Sequence, residues 1–170
     1  MLSNLTAQPK DKILALMSAY LADPRIDKID LGVGVYKNAS GATPIMQAVK
    51  SAEQLLWQVQ ETKSYVGLAG DPAFSAAMSD LVLDGAVSAD RLSAVATPGG
   101  TGAVRQALEL IKIASPKATV WLSNPTWPNH PSIVKYLGLP LAEYRYFDAK
   151  SGAVDFHNML ADIKAIPAGD

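Results

Sequence analysis

"TPGGTGAVRQALELIKIA", residues 97–114, sets three glycines and a threonine directly before a run with helical periodicity. A helix begins with four backbone N–H groups that lack an internal partner and with the positive end of its dipole. A small anion, above all a phosphate, satisfies both. Gly99, Gly100 and Gly102 lack a Cβ, so an anion could approach the amides closely, and Thr101 adds a hydroxyl donor. The preceding "RLSAVATP", residues 91–98, is short, apolar and capable of being a strand. The turn is then expected at the carboxyl edge of a sheet, where open α/β sheets bind ligands. On the residues alone it reads either as a phosphate cup or as a tight strand-to-helix turn without a ligand.

Two familiar cups do not fit. No lysine follows the glycines, as the P-loop requires, and the third glycine position of G-x-G-x-x-G, counted from Gly100, holds Arg105. ATP and NAD lose support as ligands.

Downstream, "ATVWLSNPTWPNH" is strand-like up to Ser123 and breaks at Asn124-Pro125. A helix over roughly 130–137 is limited by Gly138, "LAEYRYFD" is another strand, "DAKSGAVD" a turn region, and Asp155 can cap a last helix. From Arg91 the order is strand, helix, strand, helix, strand, helix, which favours a parallel sheet of about three strands. Upstream, residues 12–22 form an amphipathic pattern that stops before Pro24. Residues 28–44 read as a strand-like run and a glycine-rich loop, and Ile45 to about Gln60 as a second helix. Asp71 and Pro72 supply the cap and first position of a helix over roughly 72–84.

The 170 residues are 49% hydrophobic and 18% charged, with net charge −1, enough for a real core and without the basic footprint of a nucleic-acid or anionic-lipid binder. Absence of cysteine excludes disulfides, thiolate nucleophiles and cysteine-based metal sites, and no metal is expected. The first residues lack a signal-peptide pattern and no apolar run approaches a membrane span, so a cytoplasmic protein is expected.

Other candidates sit in loops. Trp127 in "SNPTWPNH" offers a flat face for a planar ring, and His130 nearby could bond a ligand or another loop residue. A Trp covering a core edge and a His satisfied by backbone are the plain alternatives. Gly32 and Gly34 in "DLGVGVY" permit close backbone approach or a β-bulge, and the Tyr65 hydroxyl could donate to an anion.

Together, "LGVGVYKNASGATP", "TKSYVGLAG", "TPGGTGAVRQ" and "SNPTWPNH" resemble, in order and approximate spacing, the class I aminotransferases. The likeness is strongest to the aspartate and aromatic amino-acid types, pyridoxal-5′-phosphate (PLP) enzymes of fold type I. The resemblance implies an incomplete PLP-transferase large domain over 45–170, a mostly parallel sheet flanked by helices. An N-terminal arm and small-domain segment over 1–44 would precede it. It implies that Gly99, Gly100 and Thr101 hold the PLP phosphate and that Trp127 stacks on the pyridine ring near the substrate. His130 buttresses the acid partner of the ring nitrogen. Tyr65 reaches the neighbouring subunit's phosphate in a homodimer with shared sites. Gly34 contacts the substrate carboxylate, beside Val33 in a segment that closes over the ligand.

No catalytic residue is expected within these positions, because the family's cofactor-linked lysine, ring-nitrogen aspartate and carboxylate-clamping arginines have no match here. The implied function is transamination between an aromatic or acidic L-amino acid and a 2-oxo acid such as 2-oxoglutarate, in a complete enzyme of which this chain is the N-terminal part. The alternatives are a non-catalytic fragment that keeps PLP or anion binding, and a PLP lyase of the same fold.

Overall fold

A computed structural model describes residues 3, 5–6, 12–32 and 34–170. The chain divides into two compact units, Met1–Lys63 and Ser64–Asp170.

In the first unit, helix α1 (Lys12–Ala22) ends where expected. Lys28 finishes it: the ammonium donates to the carbonyls of Tyr20 and Asp23, both at 2.6 Å, and lies 4.4 Å from the centre of the Tyr20 ring. A cation at the carbonyl end complements the helix dipole. The strand-like run expected within 28–44 forms no strand among the described residues. Side chains hold this stretch instead: the Asp30 carboxylate accepts the Gly32 N–H at 2.9 Å and pairs with Lys37. The Asn38 side chain accepts the amides of Ser40 and Ala42, both at 3.0 Å, in the expected loop. Helix α2 (Gln47–Val59) is amphipathic in sequence, yet none of its residues is buried.

In the second unit, the Asp71 carboxylate accepts the Phe74 N–H at 3.0 Å and Pro72 opens α3 (Pro72–Leu83), as the cap reading requires. A short 3₁₀ turn, Ala89–Arg91, leads into the stretch expected to be the first strand. It is extended chain, not a strand: Ala96 donates to the Ala69 carbonyl at 2.9 Å, but no ladder forms. Strands exist by pairing, and the described residues place no partner strand beside it. The Ala69 bond explains Gly70, which has φ +91°; a Cβ there would stand 2.4 Å from that of Ala96.

Helix α4 (Gly99–Ala114) is followed by β1 (Val120–Asn124), α5 (Asn129–Leu137) and β2 (Leu141–Arg145). The two strands pair in parallel, Val120 with Leu141 through Asn124 with Arg145, making a βαβ unit. Leu108 of α4, Ile133, Val134 and Leu137 of α5, and Leu139 form the core, flanked by Val104, Val120 and Leu141. Val134 is fully buried. The expected turn over 148–155 is the connection of a hairpin, β3 (Phe147–Asp148) against β4 (Ala153–Val154). Among the described residues, the sheet expected with about three strands is thus a two-stranded parallel pair and a separate two-stranded antiparallel one. Asp155 caps α6 (Phe156–Ala165) through the Asn158 N–H. Asp162 of α6 grips Arg145 at the end of β2, accepting its backbone N–H at 2.9 Å and its guanidinium.

Candidate cofactor-binding site

The glycines fall inside the first turn of α4, not in a loop before it. No side chain caps this turn, since the residue ahead of it is Pro98. Gly99 has φ +69°, a left-handed conformation that a side chain would strain. Its N–H already donates to the Thr97 carbonyl at 2.8 Å. The amides of Gly100 and Thr101 follow at the open end of the helix, where a partial positive charge accumulates. A Cβ built on Gly99 or Gly100 would meet nothing within 4 Å, so the approach to these amides is clear. Gly102 differs: a Cβ there would come within 3.2 Å of Pro98 Cδ. That glycine lets the turn pack on itself.

The second motif arrives at the same place. Strand β1 ends at Asn124, the Asn124-Pro125 bond is cis, and the loop carries Trp127 into α5. The first residue of α5, Asn129, donates from Nδ2 to Thr101 Oγ1 at 3.0 Å. This bond spans 28 positions in sequence and ties the two motifs together. Trp127 is 44% exposed, and the His130 ring meets it edge-on, with centroids 5.3 Å apart and planes at 88°. His130 Nδ1 lies 2.8 Å from Thr126 Oγ1. The hydroxyl and the indole orient the imidazole from two directions.

Gly99, Gly100, Thr101, Trp127 and His130 are therefore brought together. Tyr65 is not seen to join them; its side chain is fully exposed in the stretch before Gly67. Gly34 belongs to the Met1–Lys63 unit, where a Cβ would meet nothing within 4 Å, and Val33 lies outside the described residues. Sequence reading missed Asn129 and Thr126 as partners. Both stood inside the quoted motif, but side-chain pairing with Thr101 leaves no periodic signal.

An exposed helix start of this kind can receive a phosphate, and a half-exposed indole on the neighbouring loop can offer a face to a flat ring. The pair has the chemistry to suit a ligand that carries both a phosphate and a planar ring. The family profile described as "Aminotransferase class I and II" matches residues 26–170. The chain belongs to that family. It is 54% identical over 170 residues to the aromatic-amino-acid aminotransferase of Paracoccus denitrificans, covering 100% of this chain and 43% of that protein. It is 41% identical over 173 residues to the aspartate aminotransferase of Salmonella typhi, covering 100% of this chain and 44% of the other.

Among solved structures, an aromatic amino acid aminotransferase with 3-indolebutyric acid superposes with TM-score 0.91 at 54% identity, over 100% of this chain and 43% of that one. The aromatic-amino-acid aminotransferase of Burkholderia pseudomallei, covalently bound to pyridoxal phosphate, superposes with TM-score 0.87 at 34% identity, over 98% and 42%. The fold is thus that of the fold type I aminotransferases, and the chain spans 43–44% of the length of these curated relatives. The family is PLP-dependent. The residues here fit that cofactor's phosphate: an uncapped helix start, unobstructed at Gly99 and Gly100, with a hydroxyl alongside. Among the described residues no helix is long and apolar enough to cross a membrane.

Proposed function

We propose that this chain supplies the phosphate-holding and ring-covering part of a PLP-dependent aminotransferase acting on aromatic or acidic L-amino acids and a 2-oxo acid such as 2-oxoglutarate. The Asn129–Thr101 bond carries the reading, because it joins the glycine turn to the tryptophan loop in one place. In this reading the Gly100 and Thr101 amides and the Thr101 hydroxyl hold the phosphate, while Gly99 shapes the turn. Trp127 covers the ring and borders the substrate, and His130 stands behind it. Bound PLP supplies an electron sink that labilises bonds at the amino acid's Cα.

Gly34 touches the substrate carboxylate, and the exposed Tyr65 reaches the phosphate site of a second subunit in a homodimer. Residues 1–44 belong to an arm and small domain, and 45–170 to the large domain. The enzyme works in the cytoplasm. The 54% identity to the Paracoccus denitrificans aromatic-amino-acid aminotransferase, against 41% to the Salmonella typhi aspartate aminotransferase, supports an aromatic amino acid among the substrates.

The test uses the full-length protein. PLP titration followed by visible absorbance is expected to saturate, and phenylalanine, tyrosine or aspartate to yield its 2-oxo acid when 2-oxoglutarate is present. Saturable PLP binding with no amino-group transfer from any of the three would refute the transaminase assignment.

A further inference from the structure

Thr101 Oγ1 accepts the Asn129 amide hydrogen, and its own hydroxyl hydrogen finds no acceptor among the described residues. A threonine in a first helical turn is free to rotate its hydroxyl, so nothing local selects which way that hydrogen points. An amide N–H directed at the oxygen does select. It occupies one lone pair and repels the hydroxyl hydrogen, turning it away from Asn129. Asn129 itself is fixed, because it is the first residue of α5 and that helix is anchored by Ile133, Val134 and Leu137 in the core.

We propose that Asn129 is a positioning residue that aims the Thr101 hydroxyl as a donor to the bound phosphate. This rests on the reading that the α4 start receives the phosphate of PLP. Asn129 touches neither cofactor nor substrate in this role; it acts through Thr101. Pre-aimed donors bind an anion more tightly than rotating ones, because ordering is completed before the ligand arrives.

The test measures equilibrium affinity of the full-length protein for PLP, for pyridoxal and for inorganic phosphate, with folding checked by circular dichroism. Thr101→Val keeps the shape and removes the hydroxyl, and is expected to weaken PLP by roughly tenfold or more while sparing pyridoxal. Asn129→Ala frees the hydroxyl and is expected to cost about three- to tenfold for PLP and phosphate, again sparing pyridoxal. Asn129→Asp matches asparagine in size but accepts instead of donating. It would draw the hydroxyl hydrogen toward itself, so its loss should exceed that of Asn129→Ala.

In a Thr101→Val background, Asn129→Ala should change nothing further. An Asn129→Ala loss of equal size with and without the hydroxyl, or one shared by pyridoxal, would overturn the proposal. So would an Asn129→Asp variant that binds phosphate like the parent. Failure of the underlying reading looks different: Thr101→Val would then leave the PLP-to-pyridoxal affinity ratio unchanged, and the role of Asn129 would fall with it.

Discussion

Gly100→Ala sets stability against binding. Gly100 is the second residue of α4, and a Cβ built there meets nothing within 4 Å. The new methyl is therefore accommodated by the protein itself. Replacing a helical glycine with alanine reduces the conformational freedom of the unfolded chain, a gain of about 0.5 kcal/mol this close to a helix end. The same methyl occupies the approach to the Gly100 and Thr101 amides. Displacing an anion from one charge-assisted bond costs about 1.5–3 kcal/mol, or roughly 10- to 150-fold in affinity. The variant is thus expected to melt slightly higher without cofactor while binding PLP at least tenfold more weakly.

Urea denaturation followed by circular dichroism gives the first number, and PLP titration by absorbance gives the second. Gly102→Ala serves as the contrast, because its methyl would press on Pro98 Cδ at 3.2 Å and the ring cannot rotate away. Its stability should fall below that of Gly100→Ala. Undiminished PLP affinity in Gly100→Ala would refute the assignment of the α4 start as the phosphate site.

Gly70→Ala combines a φ of +91° with a 2.4 Å approach to Ala96 Cβ, and should lose about 2 kcal/mol or more, read as an earlier urea midpoint. Val134→Ala empties part of a fully buried side-chain site and should cost about 2 kcal/mol by the same measurement, with the slope of the transition unchanged. The Arg145 guanidinium and backbone N–H hold the Asp162 carboxyl down at about 2 from 3.8. A depressed carboxyl stabilises the folded state above its unfolded pKa and loses that contribution as pH falls through its folded value. Asp162→Asn should therefore be less stable than the parent at pH 6, with the gap closing between about pH 4 and pH 2. A gap that stays constant over that range would separate Asp162 from the acid response.

The sequence by itself determined what short-range forces control. Helix α1 over Lys12–Ala22 matched its periodicity, and Asp71, Pro72 and Asp155 marked helix starts within a residue, because a cap is a bond between neighbours three positions apart. The glycine turn announced an open helix start, and four motifs in order carried the family. Tertiary structure decided everything that needs a distant partner. Residues 92–97 have strand-like composition yet remain unpaired extended chain, since a ladder requires a neighbour that no local pattern supplies. The turn over 148–155 became a hairpin because Phe147 found Val154. The meeting of Asn129 with Thr101 depends on α4 and α5 sharing one core around Leu108 and Val134, and packing of that kind is a property of the folded chain alone.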